Sequence, residues 1–131
     1  MTGLTPYLHF PGSTREALTF YRGIFGGELV LNTYADFQRT DGPGDLIAHG
    51  MLQGRVGLFA ADAGADDDSL DLHGIMFSLL GTAEPAELEK WFQQLGAGGR
   101  VVDALQVRPW GDHDGTVVDR FGVTWLIGYE G

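Results

Sequence analysis

The sequence contains no cysteine, and only eight lysines and arginines stand against eighteen aspartates and glutamates. The absence of cysteine excludes disulfide bonds, thiolate nucleophiles and zinc–thiolate sites, and it is compatible with a reducing compartment. The formal net charge of -10 would repel a phosphate backbone, so we expect no nucleic acid partner. The same charge would attract a small cation, although acidity also serves solubility alone, and we favour that simpler interpretation.

Long apolar runs are also missing. No stretch approaches the roughly 18 apolar residues of a membrane span, and the first residues lack a basic segment followed by an apolar one. We therefore expect a cytoplasmic protein with no membrane partner. The content of 44% hydrophobic and 11% aromatic residues over a length of 131 predicts one globular domain with a real core.

The first half of the chain has the pattern of a strand, a helix and three strands. The alternation in YLHF (7–10) predicts a strand, and the apolar spacing that follows predicts a helix over about 14–25. Ser13 and Glu16 stand at capping-box spacing at its start. Three strand-like runs follow the helix, at 28–37, 46–53 and 56–62.

The second half repeats this order after an acidic connector, 63–72. A strand is predicted at 74–81 and a helix in EPAELEKWFQQLG, and three strands follow at 100–111, 115–120 and 123–130. The segment VGLFAADAG (56–64) also matches VTWLIGYEG (123–131). We therefore predict an α+β fold of two repeated βαβββ modules, 1–62 and 73–131, within a single domain of residues 1–131. We expect two tryptophans, Trp91 and Trp125, in the core.

The stretch WGDHDGTVVDRFGVTW (110–125) holds three carboxylates and a histidine between two tryptophans. It could be a cluster of metal ligands or a hairpin whose polar residues turn the chain. The groups GDHDG and DRFG are typical of turns, so we predict two successive turns and assign His113 to the first.

Several sequence segments, taken together, resemble those of the vicinal oxygen chelate superfamily, which includes glyoxalase I, bleomycin-resistance proteins and extradiol dioxygenases. They are PYLHFPG, EALTFYRGIFGGEL, AHGML and PWGDHDGTVVDRFGVTWLI, and they are most similar to the PhnB-like branch. The resemblance implies that each module is a curved mixed sheet with a helix on its outer face, and that the paired sheets enclose a cleft. It also implies a homodimer.

In the enzymes of this superfamily the cleft holds a divalent metal, bound by His or Gln on the first strand and Glu on the last strand of each module. Strand parity predicts that Val123, Trp125 and Ile127 pack on the helix, which puts Leu126 at the glutamate position. The internal repeat puts Phe59 at its counterpart, and neither side chain can donate oxygen to a metal. The first-strand positions fall near Thr5 and Gly74.

We therefore expect no cofactor. A divalent metal remains possible only through displaced ligands, for which the candidates are His9, His49, His73 and Glu130. No residue has a convincing partner for nucleophilic catalysis, so we assign no catalytic residue. For His73 we favour an exposed position at the start of a strand, and for His49 a histidine satisfied by its neighbours is the competing interpretation.

Our leading hypothesis is a small-molecule-binding protein without the usual metal, which binds or sequesters an aromatic or cationic molecule. The residues expected to line the ligand site are Tyr7, His9, His49, Phe59, Met76, Ser78, Trp110 and Leu126. One alternative is a metal-dependent lyase, isomerase or dioxygenase of the glyoxalase type, with displaced ligands. Another is a dimeric interaction protein with no small ligand.

Overall fold

The computed structural model describes residues 3–64 and 69–131. They fall into two compact units, Met1–Leu70 and Asp71–Gly131, and each unit is a four-stranded mixed sheet with one helix. The predicted α+β class and the repeated βαβββ order are confirmed. The aspartates 66–68 of the predicted connector lie outside the described residues. In the described segments, no helix has both the length and the apolar character needed to cross a membrane.

The first unit contains five elements, whose strands lie in the order β1-β4-β3-β2. β1 is an edge strand and pairs with β4 in parallel, and the other neighbouring strands are antiparallel. The helix α1 packs against β2, β3 and β4. The elements are β1 (Tyr7–Phe10), α1 (Thr14–Phe25), β2 (Glu28–Thr33), β3 (Ile47–Gln53) and β4 (Leu58–Asp62).

The second unit repeats this topology in the order β5-β8-β7-β6, with β5 and β8 parallel. The helix α2 packs against β6, β7 and β8. Both predicted core tryptophans are confirmed, since Trp91 and Trp125 are 2% and 1% exposed. The elements are β5 (Phe77–Leu80), α2 (Pro85–Gly96), β6 (Arg100–Val107), β7 (His113–Val118) and β8 (Thr124–Tyr129).

The start of α1 differs from the predicted capping box, because the Ser13 side chain makes no capping hydrogen bond. A carboxylate from the end of β4 takes that role instead. Asp62 accepts hydrogen bonds from the backbone N–H groups of Thr14 (2.9 Å) and Ile47 (2.8 Å). Asp62 is buried, so these two backbone donors are satisfied where water has little access.

Several predicted strands are too long at one or both ends. The run 28–37 forms a strand only as far as Thr33, because Asp36 accepts a hydrogen bond from the Thr33 N–H and its own N–H donates to Thr33 Oγ1. This pair of bonds turns the chain. In the second unit, the predicted strand 74–81 is reduced to Phe77–Leu80.

The hairpin between β6 and β7 is displaced from its predicted place. The turn covers residues 108–112, where the Gly111 N–H donates to the Arg108 carbonyl and the Arg108 N–H to the Asp112 carbonyl. His113 is therefore the first residue of β7, and its assignment to a turn was wrong. The predicted DRFG turn is confirmed by the bond from the Gly122 N–H to the Asp119 carbonyl.

Candidate functional site

The face of the first sheet opposite α1 carries a group of aromatic side chains. In β1, Leu8 and Phe10 are buried, so the alternation of the strand turns Tyr7 and His9 to the other face, as predicted. β3 and β4 contribute His49 and Phe59 to the same group. We call Tyr7, His9, His49 and Phe59 the aromatic cluster.

Tyr7 lies at the centre of the aromatic cluster. Its ring centroid is 5.3 Å from that of His9, 5.6 Å from that of His49 and 6.1 Å from that of Phe59. The rings of His49 and Phe59 are 5.5 Å apart. These spacings are those of favourable tilted and edge-to-face ring contacts, so the four side chains support one another as a surface. Tyr7 remains 44% exposed, and the surface is accessible in this chain.

A hydrogen bond joins two members of the cluster from different strands. The Tyr7 hydroxyl lies 3.0 Å from His49 Nδ1. Partial burial raises the pKa of Tyr7, which keeps the phenol neutral and able to donate to an imidazole nitrogen. The cluster thus combines apolar ring faces with a hydrogen bond that joins two strands.

The corresponding face of the second sheet has a different chemistry. Tyr7 pairs with Phe59 in the first unit, and Ser78 pairs with Leu126 in the second. Because Phe59 and Leu126 are equivalent in the repeat, Ser78 is the counterpart of Tyr7. The counterpart of Thr5 is then Met76. The predicted first-strand position of the second module, near Gly74, was therefore wrong. Met76 is 48% exposed, Ser78 is exposed and Leu126 is half-buried.

An ion-pair network that the sequence analysis did not identify also lies in the second unit. Arg108 Nε donates to Asp114 Oδ1 (2.9 Å), and Arg108 Nη2 donates to Asp103 Oδ2 (2.5 Å). The two carboxylates raise the pKa of Arg108 above its usual value. The only sequence signal was the proximity of one arginine to several aspartates, and this is too common a pattern to indicate a network.

A cavity of about 500 Å³ in the second unit is lined partly by carboxylates. Asp112, Asp114 and Glu130 contribute to it, together with Leu80 and the ring of Tyr129. Two other predicted site residues lie apart from such groupings. Trp110 is 69% exposed in the β6–β7 turn, and exposed His73 lies near Asp71 (Nε2 to Oδ1, 2.9 Å), ahead of β5 rather than at its start.

The donor set does not fit a divalent metal. Within residues 3–64 and 69–131, no three histidine, aspartate or glutamate side chains converge to form a metal-binding group. The resemblance to the superfamily implies that Phe59 and Leu126 stand where its enzymes carry glutamate, and His49 Nδ1 lies 3.0 Å from the Tyr7 hydroxyl. A stable site needs three or four protein ligands of correct geometry, and the described side chains do not supply them.

The carboxylate of Asp119, which first suggested a ligand, has a structural role. Its Oδ1 accepts hydrogen bonds from the N–H groups of Phe121 (2.8 Å) and Val123 (3.1 Å), and its Oδ2 accepts one from Trp125 Nε1 (2.9 Å). The residue is only 3% exposed. Asp119 therefore holds the DRFG turn to the core.

A stacked ring pair joins the ends of β7 and β8. The rings of His113 and Tyr129 are 4.6 Å apart with an interplanar angle of 15°. The Tyr129 hydroxyl donates to Glu89 Oε1 at 2.6 Å, and this bond raises the pKa of Tyr129. A carboxylate acceptor stabilises the neutral phenol and opposes its ionisation.

This pair gives a titration that can be measured. We expect Glu89→Gln to lower the pKa of Tyr129 towards its ordinary value, because the negative acceptor is lost. Ultraviolet difference absorbance of the phenolate, with Tyr129→Phe identifying the signal among the four tyrosines, measures the change. The matched control is Glu84→Gln, which removes an exposed carboxylate just before α2. An unchanged titration of Tyr129 in Glu89→Gln would contradict the assignment.

Comparison with known proteins agrees with this architecture. The sequence profile of the Glyoxalase/Bleomycin resistance protein/Dioxygenase superfamily matches residues 4–127. The chain is 27% identical to the protein YjdN of Escherichia coli K12, over 95% of this chain and 92% of that protein. The structure of the protein PA1353 from Pseudomonas aeruginosa is 32% identical, with a TM-score of 0.83 and coverage of 99% and 98%.

The PhnB protein of Bacillus cereus has the same fold, with a TM-score of 0.81, 20% identity and coverage of 98% and 99%. The profile match spans nearly the whole chain, from before β1 into β8, the last strand of the second repeat. The chain therefore belongs to the glyoxalase/bleomycin resistance protein/dioxygenase superfamily.

Proposed function

We propose that this chain is a small-molecule-binding protein that takes an aromatic or cationic ligand on the aromatic cluster, without the divalent metal of the related enzymes. The observation that carries the proposal is the Tyr7–His49 hydrogen bond within an accessible group of four rings. A flat ligand can stack on such a surface, and the rings attract a cation through their π faces.

The distribution of charge supports the cationic part of the proposal. The chain carries a net charge of -10. A field of this sign raises the local concentration of cations and repels anions. Retention of the ligand then comes from apolar burial, worth about 25 cal/mol per Å².

The proposal is tested with the planar aromatic cation proflavine as the probe. We expect it to raise the melting temperature and to bind in isothermal titration calorimetry. Phe59→Ala should weaken binding by about tenfold or more, because ring stacking and buried area are both lost. Tyr7→Phe keeps the ring and loses only the bond to His49, so its effect should be smaller.

Phe37→Ala is the matched control, since Phe37 is 52% exposed in the segment after β2 and is not part of the aromatic cluster. Equal affinity of Phe59→Ala and the unmodified protein would exclude the aromatic cluster as the site. Elemental analysis of protein purified without chelator tests the metal-dependent alternative. A stoichiometric divalent metal that is lost in His9→Ala would favour a lyase, isomerase or dioxygenase.

We also propose that the protein acts as a homodimer in the cytoplasm. The edge strand β6 supports the first part, since three valines on it are more than half exposed. An accessible apolar edge of this kind is a surface that proteins commonly cover. The residues are Val101, Val102 and Val107. Sedimentation equilibrium gives the oligomeric state directly, and a monomer at high concentration would refute this part of the proposal.

A further inference from the structure

A second cavity of the second unit lies on the helix side of its sheet. It has a volume of about 310 Å³ and shares no residue with the aromatic cluster. We call it the α2 cavity. Its lining comes from four elements and consists of Glu89, Phe92, Gln93, Ala104, Leu105, His113 and Tyr129.

An irregularity in β6 shapes one wall of the α2 cavity. The pairing of β6 with β7 shifts register between Asp103 and Gln106, so that Ala104 and Leu105 leave the regular ladder. The backbone of Leu105 then crosses directly over Gly115, where a Cβ atom would lie 2.6 Å from Leu105 Cα. Bulges of this kind redirect strands and occur often beside binding sites.

The opposite wall is aromatic and carries a carboxylate. The stacked rings of His113 and Tyr129 present a flat surface, and the Tyr129 hydroxyl holds Glu89 at 2.6 Å. Phe92 is 7% exposed and gives an apolar floor. His113 Nδ1 is buried and has no hydrogen-bond partner among the residues that the structure describes, so this wall contains a polar group that is still unsatisfied.

The charge of the α2 cavity selects the class of ligand. Glu89 is a carboxylate, and the described lining residues include no lysine or arginine. A carboxylate beside apolar and aromatic walls is suited to a positively charged amine attached to a ring. The volume of about 310 Å³ accommodates a molecule with one ring and a short chain, but not a drug of several fused rings.

We propose that the α2 cavity is a second ligand site, which binds a small aromatic ammonium ion. The ammonium group is paired with Glu89, and the ring lies between Phe92 and the His113–Tyr129 stack. This site is separate from the one on the aromatic cluster, so either proposal can fail without the other.

The probe for this site is the 2-phenylethylammonium ion, with chemical-shift perturbation in NMR spectra as the readout. We expect saturable shifts at residues of the α2 cavity, and about twofold to fivefold weaker binding to Glu89→Gln, because an ion pair with an exposed carboxylate is lost. Glu84→Gln, which changes the charge equally at an exposed site, should bind as the unmodified protein does. The neutral analogue 2-phenylethanol should bind more weakly than the cation.

Tyr7→Ala separates the two sites in the same titration. We expect it to leave the affinity for 2-phenylethylammonium unchanged, because Tyr7 is not part of the α2 cavity. Loss of binding in Tyr7→Ala together with full binding to Glu89→Gln would place the probe on the aromatic cluster and overturn the proposal. Absence of shifts at the α2 cavity at any accessible concentration would overturn it as well.

Discussion

Replacement of Asp119 by alanine is expected to lower the free energy of unfolding by about 3–5 kcal/mol. Three donors lose their acceptor at once: the N–H groups of Phe121 and Val123, and Trp125 Nε1. Trp125 and Val123 are almost completely buried, so water cannot replace the lost carboxylate without opening the core. Chemical denaturation monitored by tryptophan fluorescence and circular dichroism gives the value.

Two further variants isolate the reason for this loss. Asp119→Asn keeps one acceptor oxygen and should destabilise the protein less than alanine does. Asp45→Ala removes an exposed carboxylate and should change the stability by less than about 0.5 kcal/mol. If Asp119→Ala also cost less than about 1 kcal/mol, the three hydrogen bonds could not be holding the turn to the core.

Gly115→Ala should lower the free energy of unfolding by about 3 kcal/mol. A Cβ atom at this position would lie 2.6 Å from both Leu105 N and Leu105 Cα, and 2.9 Å from the Asp103 carbonyl oxygen. All three are backbone atoms of the irregular part of β6, so no side-chain rotation can relieve the overlap. Either β6 moves away from β7 or its bulge is rearranged, and both changes break ladder bonds.

Gly23→Ala is a control variant in which the same glycine-to-alanine change should raise the stability instead of lowering it. Gly23 lies inside α1, and a Cβ atom there would meet nothing within 4 Å. Alanine should therefore stabilise the helix by about 0.5–1 kcal/mol. Chemical denaturation measures the stability of both variants. If Gly115→Ala were as stable as the unmodified protein, β6 would adjust freely and the prediction would be wrong. In NMR spectra of Gly115→Ala, we expect the chemical-shift changes to be confined to β6 and β7.

The fold could be predicted from local pattern because its two repeats have clear periodicities. The helix over 14–25 was predicted with both ends correct, since its apolar spacing is regular and two glycines follow it. In the last strand, parity correctly assigned Val123, Trp125 and Ile127 to the buried face. Period-two alternation is a strong signal where one face of a sheet packs on a helix.

Two of the errors occur where distant residues decide local structure. The cap of α1 is Asp62, which lies far from Thr14 in the chain, so no sequence pattern near the helix could predict it. His113 looked like part of a turn because aspartates and glycines surround it, yet pairing with Tyr129 draws it into β7. In both cases a tertiary contact outweighs the local preference for a cap or a turn.

The candidate ligand site was likewise predicted only in part from the sequence. Parity placed Tyr7 and His9 on the open face, but the bond from Tyr7 to His49 depends on the order in which β1, β4 and β3 lie in the sheet. The α2 cavity could not be foreseen, because it depends on a register shift in β6. Trp110, predicted beside the ligand, lies exposed in a turn, and its role as a ligand contact remains a prediction.

The parallel pairing of first and last strands in each unit has a consequence for synthesis of the chain. β1 has no neighbour in its sheet other than β4, and residue 7 pairs with residue 59. A growing polypeptide must therefore emerge through β4 before β1 can join the sheet, and the same holds for β5 and β8. Such non-local closure is slow compared with helix formation. Until a module is complete, its first strand is an unpaired edge that chaperones or neighbouring nascent chains can capture.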